Sequence, residues 1–193
     1  MILNNSKKQT TLNIVFTGLF TAIMAVLSQI AIPLPTNVPI TLQTFAVAMA
    51  GYFLGWKWGT LSSVVYVLLG AVGVPVFANW SGGFGIITGF TGGFIYGFIP
   101  MALLCGLGAK LCSDKISGKI VAIVLGLAGL AVCHLCGAAQ YALLSDISFG
   151  KSLLAVSVPF LLKDGLSVFA AYLVSVELIS RLAKTGCYAY KRA

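Results

Sequence analysis

Val158-Pro-Phe-Leu-Leu-Lys163-Asp164-Gly-Leu-Ser-Val-Phe-Ala-Ala171 sets a lysine and an aspartate side by side in an apolar run that continues to about residue 181. A run of that length crosses a bilayer as a helix. A charge held inside a membrane costs roughly 2.5–3.5 kcal/mol on insertion scales, so such residues face a cavity and serve a function. Neighbouring residues on a helix lie about 100° apart around the axis. Lys163 and Asp164 are therefore expected not to pair with each other. Each needs a further partner. A ligand with one anionic end and one N–H-donating end supplies both. The competing reading is an ion pair with other helices, or snorkelling to the interface. Asp164 is one of only four acidic residues in the chain, which leaves few internal partners for Lys163.

Working outward, the 193 residues are 59% hydrophobic and 8% charged, with mean hydropathy +1.02. A soluble domain carries about 25% charged residues, so the chain reads as an all-α integral membrane protein. The segments are too long and too continuously apolar for the alternating strands of a membrane barrel. Six helices are expected, near residues 12–32, 40–55, 59–74, 89–109, 119–143 and 157–181, with residues 1–193 forming a single membrane domain. Pro33-Leu-Pro-Thr-Asn-Val-Pro39 ends the first, because three prolines in seven residues stop a helix. Trp56-Lys57-Trp58 reads as an interfacial turn between the second and third. Residues 76–88 are too rich in Gly, Ser and Asn to span. The basic N-terminus is followed by a run too long for a signal peptide.

Orientation follows from the basic residues. With the N-terminus in the cytoplasm, Lys7, Lys8, Lys57, Lys110, Lys115, Lys119, Arg181, Lys184, Lys191 and Arg192 all lie at cytoplasmic ends, against Lys151 alone in an outer loop. This asymmetry puts both termini inside and requires an even number of spans. It also gathers the Pro-rich loop, the Gly-rich loop and the start of the last span on the outer side. A pocket near the outer face of the cell membrane is the consequence. The net charge of +8 does not indicate nucleic acid, because the bases flank spans and form no patch.

Four further features carry candidate chemistry. Asn79, in Phe77-Ala-Asn-Trp-Ser-Gly-Gly83, offers donor and acceptor to a urea or amide, and Trp80 offers an apolar wall; an Asn turn with an interfacial Trp is the plainer alternative. Gln43 at the start of the second span bonds either a ligand or a neighbouring helix. Gly85, Gly89, Gly93 and Gly97 recur every four residues, which suits close helix packing or a face open to a flat ligand. Gly18, Ala22 and Ala25 put small residues on one face of the first span, for internal packing or for docking another membrane subunit. Cys133-His134-Leu-Cys136 is read as packing, because its side chains diverge around one helix and a zinc site needs a closed tetrahedron. No metal and no cofactor are expected. There is no phosphate-binding loop of the G-x-x-x-x-G-K-[ST] type and no nucleophile–base constellation, so the chain neither hydrolyses ATP alone nor reads as an enzyme.

Pro39-Ile-Thr-Leu-Gln43, Gly70-x-x-Gly73-x-Pro75-Val-Phe77, the stretch from Gly82-Gly83 to Gly92-Gly93 and the Lys163-Asp164 pair together resemble the BioY family, over about residues 12–182. That family is the biotin-specific substrate-binding component of energy-coupling-factor transporters. The resemblance implies six membrane helices, high-affinity capture of biotin on the outer side, and assembly with a transmembrane coupling protein and two cytoplasmic ATPase subunits. It implies Asn79, Lys163 and Asp164 as ligand contacts, with Gln43 and Trp80 beside them. Two departures stand out. The family tends to have Gly-Pro-Thr-Gly-Gly where this chain has Gly89-Phe-Thr-Gly-Gly93, and its first helix tends to carry Ala-x-x-x-Ala where this chain has Gly18-x-x-x-Ala22.

Overall fold

The computed structural model describes residues 2–113 and 115–184, with side chains from Gln9 onward. Lys191 and Arg192, two of the bases behind the orientation argument, lie outside the described residues. The chain runs α1 (Ile2–Ser28), β1 (Ala31–Ile32), β2 (Ile40–Thr41), α2 (Gln43–Ala71), a 3-10 turn (Ala78–Trp80), α3 (Phe84–Ile87), α4 (Gly92–Leu111), α5 (Ile116–Ser145), α6 (Phe149–Val156) and α7 (Val158–Lys184). Among the described residues, four stretches are long and apolar enough to cross a membrane: Gln9–Ser28, Gly92–Leu111, Ile116–Ser145 and Val158–Lys184.

α2 covers the stretch expected to hold the second and third spans, and the connection within it is tighter than that expectation. Gly55 is the single non-helical residue inside it, at φ 77° and ψ 177°. Side-chain-bearing residues rarely hold that backbone shape. The chain reverses there, and residues 56–71 fold back along residues 43–54. A Cβ at Gly59 would lie 2.6 Å from the carbonyl oxygen of Ala50, and Gln43 hydrogen-bonds Tyr66, 23 positions away. Trp56-Lys57-Trp58 therefore opens the returning half and is not a turn of its own. Lys57 folds its ammonium over the Trp56 ring, 5.1 Å from its centroid, a cation–π contact.

Small residues set the helix spacing elsewhere. Gly51 faces the Ala102 carbonyl and Cys105, and Gly106 sits on the backbone of Trp56, so α2 and α4 touch without side chains between them. Gly93 and Gly97 press on Cys136 and Cys133 of α5, and Gly108 on Ala122. This is the packing use of small residues in apolar bundles. The expected four-residue glycine face is split, however. Gly85 belongs to the separate short helix α3, and α4 begins only at Gly92. α6, between α5 and α7, was not anticipated. It is fastened by Ser152 Oγ donating to the Ala138 carbonyl at 2.7 Å and by the fully buried Val156.

The core joins α1, α2, α4, α5 and α7 through Phe20, Phe53, Tyr52, Met101, Leu130 and Val168. Tyr52 packs edge-on against Tyr172, linking α2 to α7. At one end of the bundle lie the reversal at Gly55, the end of α4 and the start of α5, with Lys57, Lys110, Lys115 and Lys119. At the other end the β1–β2 pair, the 72–91 segment and the start of α7 converge. Ala31 pairs with Thr41 and Ile32 with Ile40, which folds the Pro-rich 33–39 segment over that end.

Candidate functional site

α7 brings its charges into the bundle because its turn at residues 160–164 packs against both α2 and α5. Phe160 and Asp164, four residues apart, share the buried face. Asp164 is 4% exposed. Its Oδ2 lies 3.3 Å from Nε2 of His134 on α5, itself 5% exposed. Its Oδ1 lies 2.5 Å from Lys163 Nζ. The expectation that adjacent helical residues would not meet is corrected here. The four-carbon lysine stem is long enough to curl back over its neighbour. Among the described residues, Oδ1 has this ion pair and no other aligned donor. Lys163 Nζ spends one proton on the Thr41 carbonyl at 2.6 Å, which anchors it to the strand that closes this end. Its side chain keeps 31% exposure.

Beside this pair is a cavity of about 230 Å³. Phe77, Phe94, Phe98, Phe160 and Leu130 supply apolar walls, and Asn37, Val38 and Pro39 from the Pro-rich loop contribute to its lining. Gln43, Thr44, Asn79, His134, Lys163 and Asp164 supply the polar groups. An apolar chamber with a few convergent polar groups is the usual form of a small-molecule site.

The residues expected to bind a ligand fall into three groups. Asn79, Lys163 and Asp164 line one cavity, from the 3-10 turn and from α7. Asn79 holds a left-handed backbone, φ 57° and ψ 38°. Its carboxamide has no hydrogen bond among the described residues. Gln43 lines the cavity too, yet its side chain is committed: Nε2 donates to Tyr66 Oη at 2.7 Å, and Oε1 accepts from Thr41 Oγ1 at 3.0 Å. Trp80 is outside. It is 73% exposed, and a second left-handed residue, φ 56°, turns the chain away after Asn79. Phe90, the departure from the family's Gly-rich motif, packs its ring against Tyr141 at 5.4 Å and does not line the cavity.

Gly18 and Ala22 are exposed on α1, and Ala25 is half-buried against the core. Apart from its own helix, none of the described residues comes within 4 Å of a Cβ placed at Gly18. The stripe is open, flanked by exposed Ile14, Val15, Leu19 and Val26.

His134 is the site residue that sequence reasoning missed. Its place between two cysteines suggested packing or metal, whereas it orients the carboxylate of Asp164. Phe94 meets its ring edge-on, at 5.6 Å between centroids. Its buried Nδ1 has no hydrogen-bond partner among the described residues. Gly70 was noticed only as part of a motif. A Cβ there would collide with the ring of Phe77, so glycine is what lets Phe77 sink beneath the cavity floor.

Comparison with known proteins adds an independent line. A model of the BioY family matches residues 4–184. A protein named biotin transporter BioY from Thermotoga maritima is 40% identical over 162 residues, covering 83% of this chain and 92% of its own. A probable biotin transporter BioY from Pyrococcus horikoshii is 37% identical over 161 residues, covering 83% of this chain and 92% of its own. A crystal structure described as the S-component for biotin from an ECF-type ABC transporter superposes with a TM-score of 0.75 at 25% identity, covering 88% of this chain and 92% of the other.

Proposed function

The chain belongs to the BioY family, and from that premise we propose that it is the biotin-binding membrane component of a vitamin uptake transporter. It is a transport component, not an enzyme. One observation carries the reading: Lys163, Asp164 and Asn79 converge on an apolar chamber in which, among the described residues, Asp164 Oδ1 has the Lys163 ion pair alone and the Asn79 amide has no hydrogen bond. Biotin has a carboxylate on an apolar tail and a ureido ring with two N–H donors and one carbonyl. Lys163 takes the carboxylate. Asp164 Oδ1 accepts a ureido N–H, and Asn79 serves the other side of the ureido group. The phenylalanine walls cover the tail and the ring. Biotin's carboxylate becomes a second anionic partner for Lys163, beside Asp164.

The finer architecture is part of the same proposal. Counting the two halves of α2, the chain crosses the cytoplasmic membrane six times as a single membrane domain. Both termini and the basic end, with Lys57, Lys110, Lys115 and Lys119, face the cytoplasm. The cavity opens outward. Gly18, Ala22 and Ala25 on α1 dock a transmembrane coupling protein, which two cytoplasmic ATPase subunits drive. The chain has no phosphate-binding loop of its own, so the energy for uptake comes from those partners. Equilibrium binding of biotin to the purified chain in detergent tests the site. The wild type binds one biotin per chain, and Lys163→Ala binds at least about tenfold more weakly. Equal affinity for the two chains removes Lys163 from the site.

A further inference from the structure

We infer that Gln29, one residue beyond α1, is a positioning residue that holds Asn79 in the ligand chamber. The inference rests on the reading above that Asn79 contacts the ligand.

Asn79 and Trp80 are consecutive non-glycine residues in the left-handed region, at φ 57° and 56°. That region costs an ordinary residue about 1–2 kcal/mol, with less for asparagine. Such backbone persists only where its surroundings over-determine it. Burial does not do so here, since Trp80 is largely exposed. Before the turn, Phe77 is anchored by its seat on Gly70. Across it, Phe77 N–H donates to the Ser81 carbonyl at 2.9 Å, and a side chain adds a second restraint. Gln29 Oε1 accepts from Trp80 N–H at 2.8 Å, and Gln29 Nε2 donates to the Phe77 carbonyl at 3.1 Å. One carboxamide thus brackets Asn79 from both sides, as a neighbouring strand would. The two contacts fix which end of the amide faces which partner, because only nitrogen donates and only oxygen accepts.

Gln29 is itself held. The second N–H of its Nε2 is shared between Ser28 Oγ at 2.7 Å and the Ala25 carbonyl at 3.0 Å. Ser28 Oγ donates to the Val76 carbonyl at 2.7 Å. Tyr66 Oη donates to the same carbonyl at 2.9 Å and accepts from Gln43. Thr41 bonds Gln43 through its hydroxyl and Lys163 through its carbonyl. Hydrogen bonds therefore run without a gap from the ammonium of Lys163 to the turn that carries Asn79. The ureido-facing amide is mounted on α1 and the charged pair on α7, with α2 between.

The test is a double-mutant cycle on biotin affinity, using the full chain in detergent. Gln29→Met keeps the side-chain volume and removes both brackets, and Gln29→Ala is the second variant. Each is measured alone and with Asn79→Ala, alongside the ligand-free melting temperature. The expected result is a loss of about tenfold from Gln29→Met and little further loss when Asn79→Ala is already present. A positioning residue acts only through what it positions. Unchanged affinity in Gln29→Met, or losses that multiply in the double variant, overturns the inference while leaving Asn79 as a contact. Unchanged affinity in Asn79→Ala alone removes Asn79 from the site and the inference with it. Failure of both Gln29 variants to fold overturns it as well, because the role is then structural.

Discussion

At the scale of single residues, the site is defined by what its polar atoms lack. Asp164 is buried with one oxygen facing His134 and the other without an aligned donor. Its Oδ1 has Lys163 as an ion-pair partner, and in the proposed complex a ligand N–H adds a charge-assisted hydrogen bond to it. Asp164→Asn replaces a charged acceptor by a neutral one. It is expected to weaken biotin binding by more than about 1 kcal/mol, since charge-assisted hydrogen bonds contribute about 1.5–3 kcal/mol; calorimetry measures this, and an unchanged affinity refutes the assignment. Gly70→Ala is expected to lower affinity by lifting Phe77 and the turn beyond it, with a reduced melting temperature in the ligand-free protein. Lys163 and Asp164 stood out because a charge in an apolar run is costly; that Asp164 meets both Lys163 and His134 was not legible. Asn79 was legible only with the glycines around it. His134 and Gln29 were not, because what each does depends on a partner far along the chain: Asp164 is 30 residues beyond His134, and Trp80 is 51 beyond Gln29.

At the scale of elements, long spans read well and short ones do not. α1, α4, α5 and α7 each carry an apolar stretch of at least 20 residues, enough for composition alone to place them. The two halves of α2 are each shorter than that, and the expected turn was drawn around Trp56-Lys57-Trp58. The reversal needs a single residue, because Gly55 takes a backbone shape that few others hold. Gly55→Ala is expected to destabilise the ligand-free protein by about 1–3 kcal/mol, read as a fall in melting temperature; a temperature equal to that of the wild type contradicts a hairpin that depends on this glycine. α3 has 4 residues and α6 has 8, too few turns for a helical period to stand out. Glycine spacing was informative for Gly93 and Gly97, which do pack on α5. It misled at Gly85 and Gly89, where the same period continues through a break.

At the scale of the whole molecule, the polar end and the basic end are opposite each other, and the account ties the first to the outside. Single cysteines at Lys151 and at Lys57, in a chain without its native cysteines, test this with an impermeant thiol reagent on intact cells. Position 151 is expected to label and position 57 to remain protected; the reverse pattern inverts the topology and the direction of capture. In the proposed binding mode, ligand spans groups mounted on α7 and on the turn held by α1 and so steadies the entire bundle. Biotin at about 100 times its dissociation constant is expected to add about 2.7 kcal/mol of stability by mass action.

The most direct measurement is isothermal titration of biotin into the purified wild-type chain and the Asp164→Asn variant under identical conditions. Saturable binding of one biotin per chain, weakened at least about fivefold in the variant, is the result expected of a chamber built around that carboxylate. Absence of binding to the wild type, or indistinguishable affinities for the two chains, contradicts it.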